Sequence, residues 1–426
     1  MKIFLSLLLL PFTLAGQQLE VAPPLSANVS PQRLNLVDEL LLSSVDKGWL
    51  AGGVFLIARK GKIIYHKSLG SKNGQEPYRN DDIFRIASMT KAVTSVGIMQ
   101  LFEQGKIGLD DPLHWYLPEY KEMVVLDTFE ESDSSFTTKP AEKDITIRHL
   151  LTHTSGITYG DFNPGKIAAV YSRYDMLGVG LSHEEWTTQE FIKRLAKVPL
   201  VFEPGEKFLY GLNTDVLGRV IEVVSGLTLA QYFQEHIFDK VGMSDTHFYL
   251  PKNKQKRLVP LYTTTEDNGL SIAEGEGSFR GWDYPKAIDN GHYSGGGGLS
   301  STALDYAKFI QALLNDGRYN DQQLLAAHTI DLIKADQLIA LNREGKGISQ
   351  TPGISFGLGF MVWLDEAEGV TVKSPGTYEW AGLFNTKYFI DPAEDLIFVG
   401  MTQVLPFTQE HFWEKLYTVI YGSLED

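Results

Sequence analysis

A serine followed three residues later by a lysine, Ser88-Met89-Thr90-Lys91, occupies the point where an apolar segment (Ile83, Phe84, Ile86, Ala87) passes into a long helical pattern. With Ser88 opening that helix, the spacing places Lys91 on the same face, one turn on. A serine hydroxyl is a weak nucleophile until a base takes its proton, and a lysine kept neutral by burial and a neighbouring cation can be that base. The same pattern recurs at Ser44-Val45-Asp46-Lys47, where a solvated lysine near the end of a surface helix is the plain reading. Apolar neighbours and the motifs downstream set Ser88 apart.

Two later segments could complete the chemistry. Phe202-Glu203-Pro204-Gly205-Glu206-Lys207-Phe208-Leu209-Tyr210 turns at Pro-Gly and delivers Tyr210 just ahead of a helix that begins in Gly211-Leu212-Asn213-Thr214-Asp215. Alone, Tyr210 reads as a packed rim residue with a satisfied hydroxyl. With Ser88 upstream, it reads as a phenol that shares a proton with Lys91 and relays it to the leaving group. Gly376-Thr377-Tyr378-Glu379-Trp380-Ala381-Gly382-Leu383 enters a strand that ends at Asp391-Pro392. As an edge strand facing the nucleophile it could offer a backbone N–H to developing oxyanion charge, and small Ala381 and Gly382 would admit a carbonyl. A strand entry with an aromatic plug explains the same residues.

The elements that must position these groups follow from periodicity. Ser30-Pro31 supplies an N-cap and an N1 proline, and Leu34, Val37 and Leu41 recur at helical spacing up to Gly48. Gly53 to Ala58 and Lys62 to Leu69 flank Arg59-Lys60-Gly61 as a hairpin. The Ser88 helix runs on through Val93, Val96, Met99 and Phe102 to a Gly105 cap. Thr188 to Ala196, Val216 to Val224 and Thr302 to Leu314 are further helices. Gly357 to Trp363, Val370 to Val372, Phe384 to Ile390 and Leu396 to Thr402 read as strands, and Thr408 caps a closing helix with Phe412, Leu416 and Val419. The expected class is α+β. An antiparallel sheet lobe (30–120 and 300–426) is flanked by the terminal helices, and a mostly helical lobe (121–299) is inserted, with the site in the groove between them.

Composition narrows the setting. The 426 residues are 43% hydrophobic and 21% charged, as in a globular enzyme with a sizeable core. Met1-Lys2, the apolar run from Ile3 to Leu14 and the small residues Thr13 and Ala15 read as a signal peptide (residues 1–15), so export to the periplasm or medium is expected. The run is short of the roughly 20 apolar residues of a membrane span, and no stable span is expected after cleavage. Net charge −15 argues against nucleic acid and anionic membranes as partners. There is no cysteine, hence neither disulfide nor thiolate site.

Phe84-Arg85-Ile86-Ala87-Ser88-Met89-Thr90-Lys91, His149-Leu150-Leu151-Thr152-His153-Thr154-Ser155-Gly156-Ile157, the Pro204-Gly205 to Tyr210 run, Gly296 to Phe309 and Trp380-Ala381-Gly382 occur in this order. Together they resemble the serine β-lactamase-related superfamily, and within it the class C-like carboxylesterases called family VIII, over roughly residues 30 to 425. The resemblance implies a β-lactamase/penicillin-binding-protein-like fold, no cofactor, and a small-molecule ester or amide substrate. It makes Ser88 the acylated nucleophile, Lys91 its partner and Tyr210 the catalytic tyrosine. Trp380-Ala381-Gly382 takes the place of Lys-Thr-Gly, and the Leu383 and Ser88 amides match the oxyanion hole.

The departures carry information. Leu212 stands where β-lactamases carry Asn, Asn213 comes one place late, and Asp215 resembles an acidic residue of the esterase branch that could orient the Lys-Tyr pair. Trp380 replaces a cation that would hold a β-lactam or peptide carboxylate. Lys373-Ser374-Pro375-Gly376 is a substitute at the wrong distance from Asp391-Pro392, and no Ser-Asp-Asn triplet is present.

Other motifs compete. Gly353-Ile354-Ser355-Phe356-Gly357 matches the α/β-hydrolase elbow but lacks the following helix and a suitable later histidine, leaving Ser355 as a turn residue. His183-Glu184-Glu185 lacks a second histidine for zinc, and His149 with His153 lacks a third ligand and reads as helix-end packing. The run Gly295 to Gly298 reads as a chain reversal. β-Lactamase, D-alanyl peptidase or transacylase activity, or a silent penicillin-binding-type domain, are the rival functions.

Overall fold

The computed structural model describes residues 18–178, 181, 185–267, 269–273, 283–409 and 411–425. The expected leader, residues 1–15, lies outside them, as do His183 and Glu184 of the weighed zinc motif.

Helix α1 (Pro31–Asp46) starts behind Ser30 with proline at its first position and buries Leu34, Val37 and Leu41 as one stripe. Strands β1 (Gly52–Arg59) and β2 (Lys62–Lys72) form the hairpin, whose turn residues Lys60 and Gly61 both have positive φ, 53° and 68°, as a two-residue turn matched to strand twist requires. Helix α2 (Thr90–Glu103) is buried on all sides from Thr90 to Leu101 rather than along one stripe. It crosses α3 (Asn213–Ser225) at Gly97, where a Cβ would lie 2.9 Å from Ile221. Helix α4 (Ala303–Leu314) is capped by the Thr302 side chain, which accepts from the Asp305 N–H.

The C-terminal part supplies β3 (Ile354–Phe356), β4 (Met361–Trp363), β5 (Tyr378–Gly382), β6 (Thr386–Asp391), β7 (Leu396–Met401) and α5 (Phe412–Gly422). The sheet order is β2, β1, β7, β6, β5, β4, β3, antiparallel throughout this series, so both chain ends meet where β7 pairs with β1. Alternation along β1 sends Val54, Leu56 and Ala58 into the core shared with α2 and α4. Phe55 and Ile57 point the other way, into a second core with α1 and α5. This is the α+β arrangement expected, with a helix layer on each face of the sheet.

The segment 121–299 holds helices such as Thr188–Leu195 and α3, but also two-stranded ribbons, Val124–Glu130 with Ser135–Pro140 and Tyr262–Thr264 with Leu270–Ile272. Three local expectations fail. Val370–Val372 is not a strand but a loop whose Val370 and Val372 are 61% and 42% exposed; β-branched residues here mark apolar surface, not sheet. Of Gly357 to Trp363 only Met361–Trp363 is strand, because the residues before it form the turn from β3 into β4. The closing helix starts behind His411 rather than at Thr408.

Candidate active site

The chain passes from the short strand Phe84–Arg85 into α2 through one turn of 3₁₀ helix, Ala87–Met89, and Ser88 lies in that turn. Ala87 has φ 41°, a left-handed conformation that costs a non-glycine residue roughly 1–3 kcal/mol. Burial repays it: Ala87 is fully enclosed beside Leu261, Tyr284 and Phe384. The sharp turn leaves Ser88 half-buried at the helix entrance while its neighbours Ala87 and Met89 are covered.

One turn on, Lys91 is buried and its ammonium nitrogen has three polar neighbours, Ser88 Oγ at 3.3 Å, Tyr159 OH at 3.1 Å and Gly296 O at 2.7 Å. A neutral amine would donate to the carbonyl and the phenol and keep its lone pair for the Ser88 proton. Lys91 also stands over the Tyr210 ring, 4.7 Å from its centroid. The expected hydrogen bond from Lys91 to the Tyr210 phenol is replaced by the one to Tyr159. The Tyr210 oxygen instead accepts from the indole N–H of Trp380 at 3.1 Å.

Tyr210 is held from behind by the His153–Tyr159 segment. The Leu209 N–H donates to His153 O (2.8 Å), the Gly211 N–H to His153 Nδ1 (3.3 Å), and Thr158 Oγ1 to Tyr210 O (2.9 Å). A Cβ on Gly211 would lie 2.3 Å from Thr158 Cα, so only glycine allows this approach. His153 is fully buried; burial and the Lys91 charge push its pKa well below the usual range, which suits an Nδ1 that accepts from Asn213 and Gly211.

Asn213 was expected at the substrate, and the structure places it elsewhere. It is 0% exposed, and its amide is spent on His153 Nδ1, Ile157 O and the Ser155 hydroxyl, so it ties the Tyr210 loop to its support. Asp215 is equally out of reach of a ligand. Its Oδ1 accepts from Ser294 Oγ (2.6 Å) and the Gly296 N–H (3.1 Å), while the Gly296 carbonyl receives Lys91. Burial pushes the Asp215 pKa up, against the pull of Lys91 and these donors. The glycine run is therefore more than a reversal. A Cβ at Gly295 would sit 2.6 Å from Thr214 O and one at Gly296 2.3 Å from Asp215 Oδ2, so the run lies against the α3 backbone and the Asp215 carboxylate with no room for side chains of its own.

Trp380, Ala381 and Gly382 lie half-buried on β5. This strand is not at the sheet edge, yet β4 pairs with it at Tyr378 and Glu379; among the described residues the ladder partner from Trp380 to Gly382 is β6 alone. The stretch thus keeps an open side toward the Ser88 turn, where a Cβ on Gly382 would lie 2.4 Å from Ile86 O. Leu383 follows directly and packs into the cluster around Ala87. Lys373, the alternative cation, is on the opposite face, held by both Glu379 oxygens. Ser355, expected in a turn, lies instead on β3, where it donates to Asp336 and accepts from Asn342 (2.7 Å), so its hydroxyl ties the strand to the preceding segment.

Tyr159 and Gly296 are the site residues the sequence reading missed. Tyr159 follows the His149–Ile157 motif by two positions, and that motif's proximity was the only signal for it. His149 itself closes a capping box, its Nδ1 accepting from the Thr146 N–H at 3.2 Å. Burial, with Lys143 nearby, lowers its pKa from 6.5 to about 4. The folded state then binds fewer protons than the unfolded chain between these values, so stability falls as pH drops from about 6.5 to 4, by up to about 3 kcal/mol from this group. His149→Gln keeps the usual capping-box chemistry. Its Tm should decline less steeply over that interval than that of the parent chain, and an unchanged slope would assign the acid sensitivity to other groups.

Residues 37–417 match the model of the family described as Beta-lactamase. The chain belongs to that family. Esterase EstB from Burkholderia gladioli is 30% identical over 365 residues, covering 83% of this chain and 86% of its own. The lovastatin esterase of Penicillium rubens is 30% identical over 396 residues, covering 87% and 93%. Among solved structures, EstCE1, described as a hydrolase with promiscuous acyltransferase activity, superposes with a TM-score of 0.77 at 26% identity, covering 92% of this chain and 99% of that one. Family membership and these relatives support a hydrolase-type enzyme. Among the described residues no single helix is long and apolar enough to cross a membrane.

Proposed function

We propose that this Beta-lactamase family member is a serine hydrolase that cleaves carboxylic esters of small molecules through an acyl-enzyme on Ser88. The observation that carries the reading is the 3.3 Å contact between Ser88 Oγ and a buried lysine amine whose other neighbours are a carbonyl and a phenol. Lys91 takes the Ser88 proton as Oγ attacks the ester carbonyl. The Ser88 and Leu383 amides hold the oxyanion, a role supported by the open side of β5 beside the Ser88 turn. Tyr210 protonates the departing alkoxide, and the phenolate left behind takes up the proton that Lys91 removed from Ser88, the ammonium standing over its ring. Because indole N–H can only donate, the Tyr210 oxygen accepts from Trp380 and its own O–H is free to point at the leaving oxygen. Water then releases the acyl group by the reverse proton path.

Trp380 where related β-lactamases carry lysine supports neutral esters over carboxylate-bearing β-lactams. Short p-nitrophenyl esters should turn over at least about tenfold faster than nitrocefin, a difference of about 1.4 kcal/mol in the barrier. Ser88→Ala should abolish both. A nitrocefin rate equal to the best ester rate would reverse the assignment, and ester turnover that survives Ser88→Ala would exclude the acyl-enzyme.

Acyl transfer is the second reading, favoured by the acyltransferase activity of the EstCE1 relative. An alcohol in place of water would intercept the same intermediate. The N-terminal run further leads us to propose export, with a mature chain that begins at Gly16; N-terminal sequencing of the secreted or periplasmic protein checks it.

A further inference from the structure

Trp380 faces the crevice, and its strand neighbour Glu379 faces the other way, into a cavity of about 700 Å³ between the sheet and α5. Ligand pockets of small-molecule enzymes span this size. Both Glu379 oxygens are taken by Lys373, at 2.6 and 2.5 Å, and that pair is electrically closed. Its ammonium lies 4.5 Å from the Tyr417 ring centroid and 5.0 Å from that of Trp363.

Lys387 differs. Set opposite Ala381 in the β5–β6 register, it lines the same cavity over the Trp413 ring at 5.6 Å, and its ammonium has no hydrogen bond or ion pair among the described residues. Glu414, the other carboxylate nearby, turns outward with its side chain 77% exposed and meets His411. The cavity wall therefore carries, between aromatic rings, an ammonium with no hydrogen-bonded anion; Glu379, already held by Lys373, and the outward-turned Glu414 act on it only through space. Such a charge is costly to hold unless an anion joins it. At the mouth stand Val370 and Val372, the exposed apolar residues of the loop that failed to form a strand.

We propose that this cavity binds a small organic monocarboxylate, its carboxylate on the Lys387 ammonium and its apolar body between Trp363, Trp413 and Val372. One positive charge matches one carboxylate, and the aromatic walls select an organic ion over an inorganic one. The site lies behind the strand that carries Trp380.

Titration of 4-phenylbutyrate into the full chain by isothermal calorimetry tests it. The expected result is saturable one-to-one binding that weakens about tenfold or more in Lys387→Met, and likewise in Val372→Glu at the exposed rim, but persists in Lys387→Arg. Equal melting temperatures would show that the variants fold, and the neutral 4-phenylbutanamide should not bind. Binding undiminished in Lys387→Met and Val372→Glu would place the acid elsewhere and overturn the proposal. So would an amide that binds as well as the acid, or no saturation at millimolar concentrations.

Discussion

Lys91→Met is expected to lower kcat for ester hydrolysis by about 10⁴-fold while leaving the fold in place. Methionine nearly matches lysine in length and keeps the packing against the Tyr159 and Tyr210 rings, but it offers Ser88 no lone pair. Groups that act as one unit with the nucleophile lose most of the rate when any of them is removed, leaving only binding and oxyanion stabilisation. Among the described residues the Ser88 hydroxyl then has no hydrogen-bonded base, since Lys91 at 3.3 Å is the one it has. Steady-state kinetics on a p-nitrophenyl ester, alongside near-UV circular dichroism to verify packing, measure the effect. A Lys91→Met enzyme with more than about a tenth of parental kcat would mean that another group accepts the proton.

The second large effect separates two tyrosines that both adjoin Lys91. Tyr210→Phe should cost about 10² to 10⁴ in kcat, the usual contribution of a positioned acid–base group. Tyr159→Phe should cost distinctly less. Tyr159 is 5% exposed, and burial drives its pKa far up, so it orients the amine but has no path to a leaving group. Tyr210 is only half-buried and presents its hydroxyl beside Trp380 at the crevice. An ester with a good leaving group needs little proton donation, so the Tyr210→Phe deficit should shrink from an alkyl to a p-nitrophenyl ester. The reverse ranking of the two variants would move the relay to Tyr159.

Much of this is legible in the amino-acid sequence, because the decisive information is local. The interval from Ser88 to Lys91 is one helical turn, and the apolar run before it marks a buried entrance. The β1–β2 hairpin and α1 follow from period-two and helical spacing together with turn and cap residues. What stayed hidden depends on contacts between distant segments. Nothing near Lys91 in sequence indicates that its partners are Tyr159 and the Gly296 carbonyl. Asn213 and Asp215 look like site residues because they flank Tyr210, yet helical geometry turns both inward, where they hold the loops that carry the site. Val370 and Val372 show the opposite error: β-branched residues that suit a strand here stand on an exposed rim.

The central claim is that Ser88 becomes covalently acylated during turnover. The direct measurement is mass spectrometry of the chain quenched during hydrolysis of a slowly deacylating ester, followed by peptide mapping. The account predicts a mass increase equal to the acyl group, located on the peptide containing Ser88 and absent from Ser88→Ala. Full ester turnover with no adduct, or an adduct on any other side chain, would contradict it.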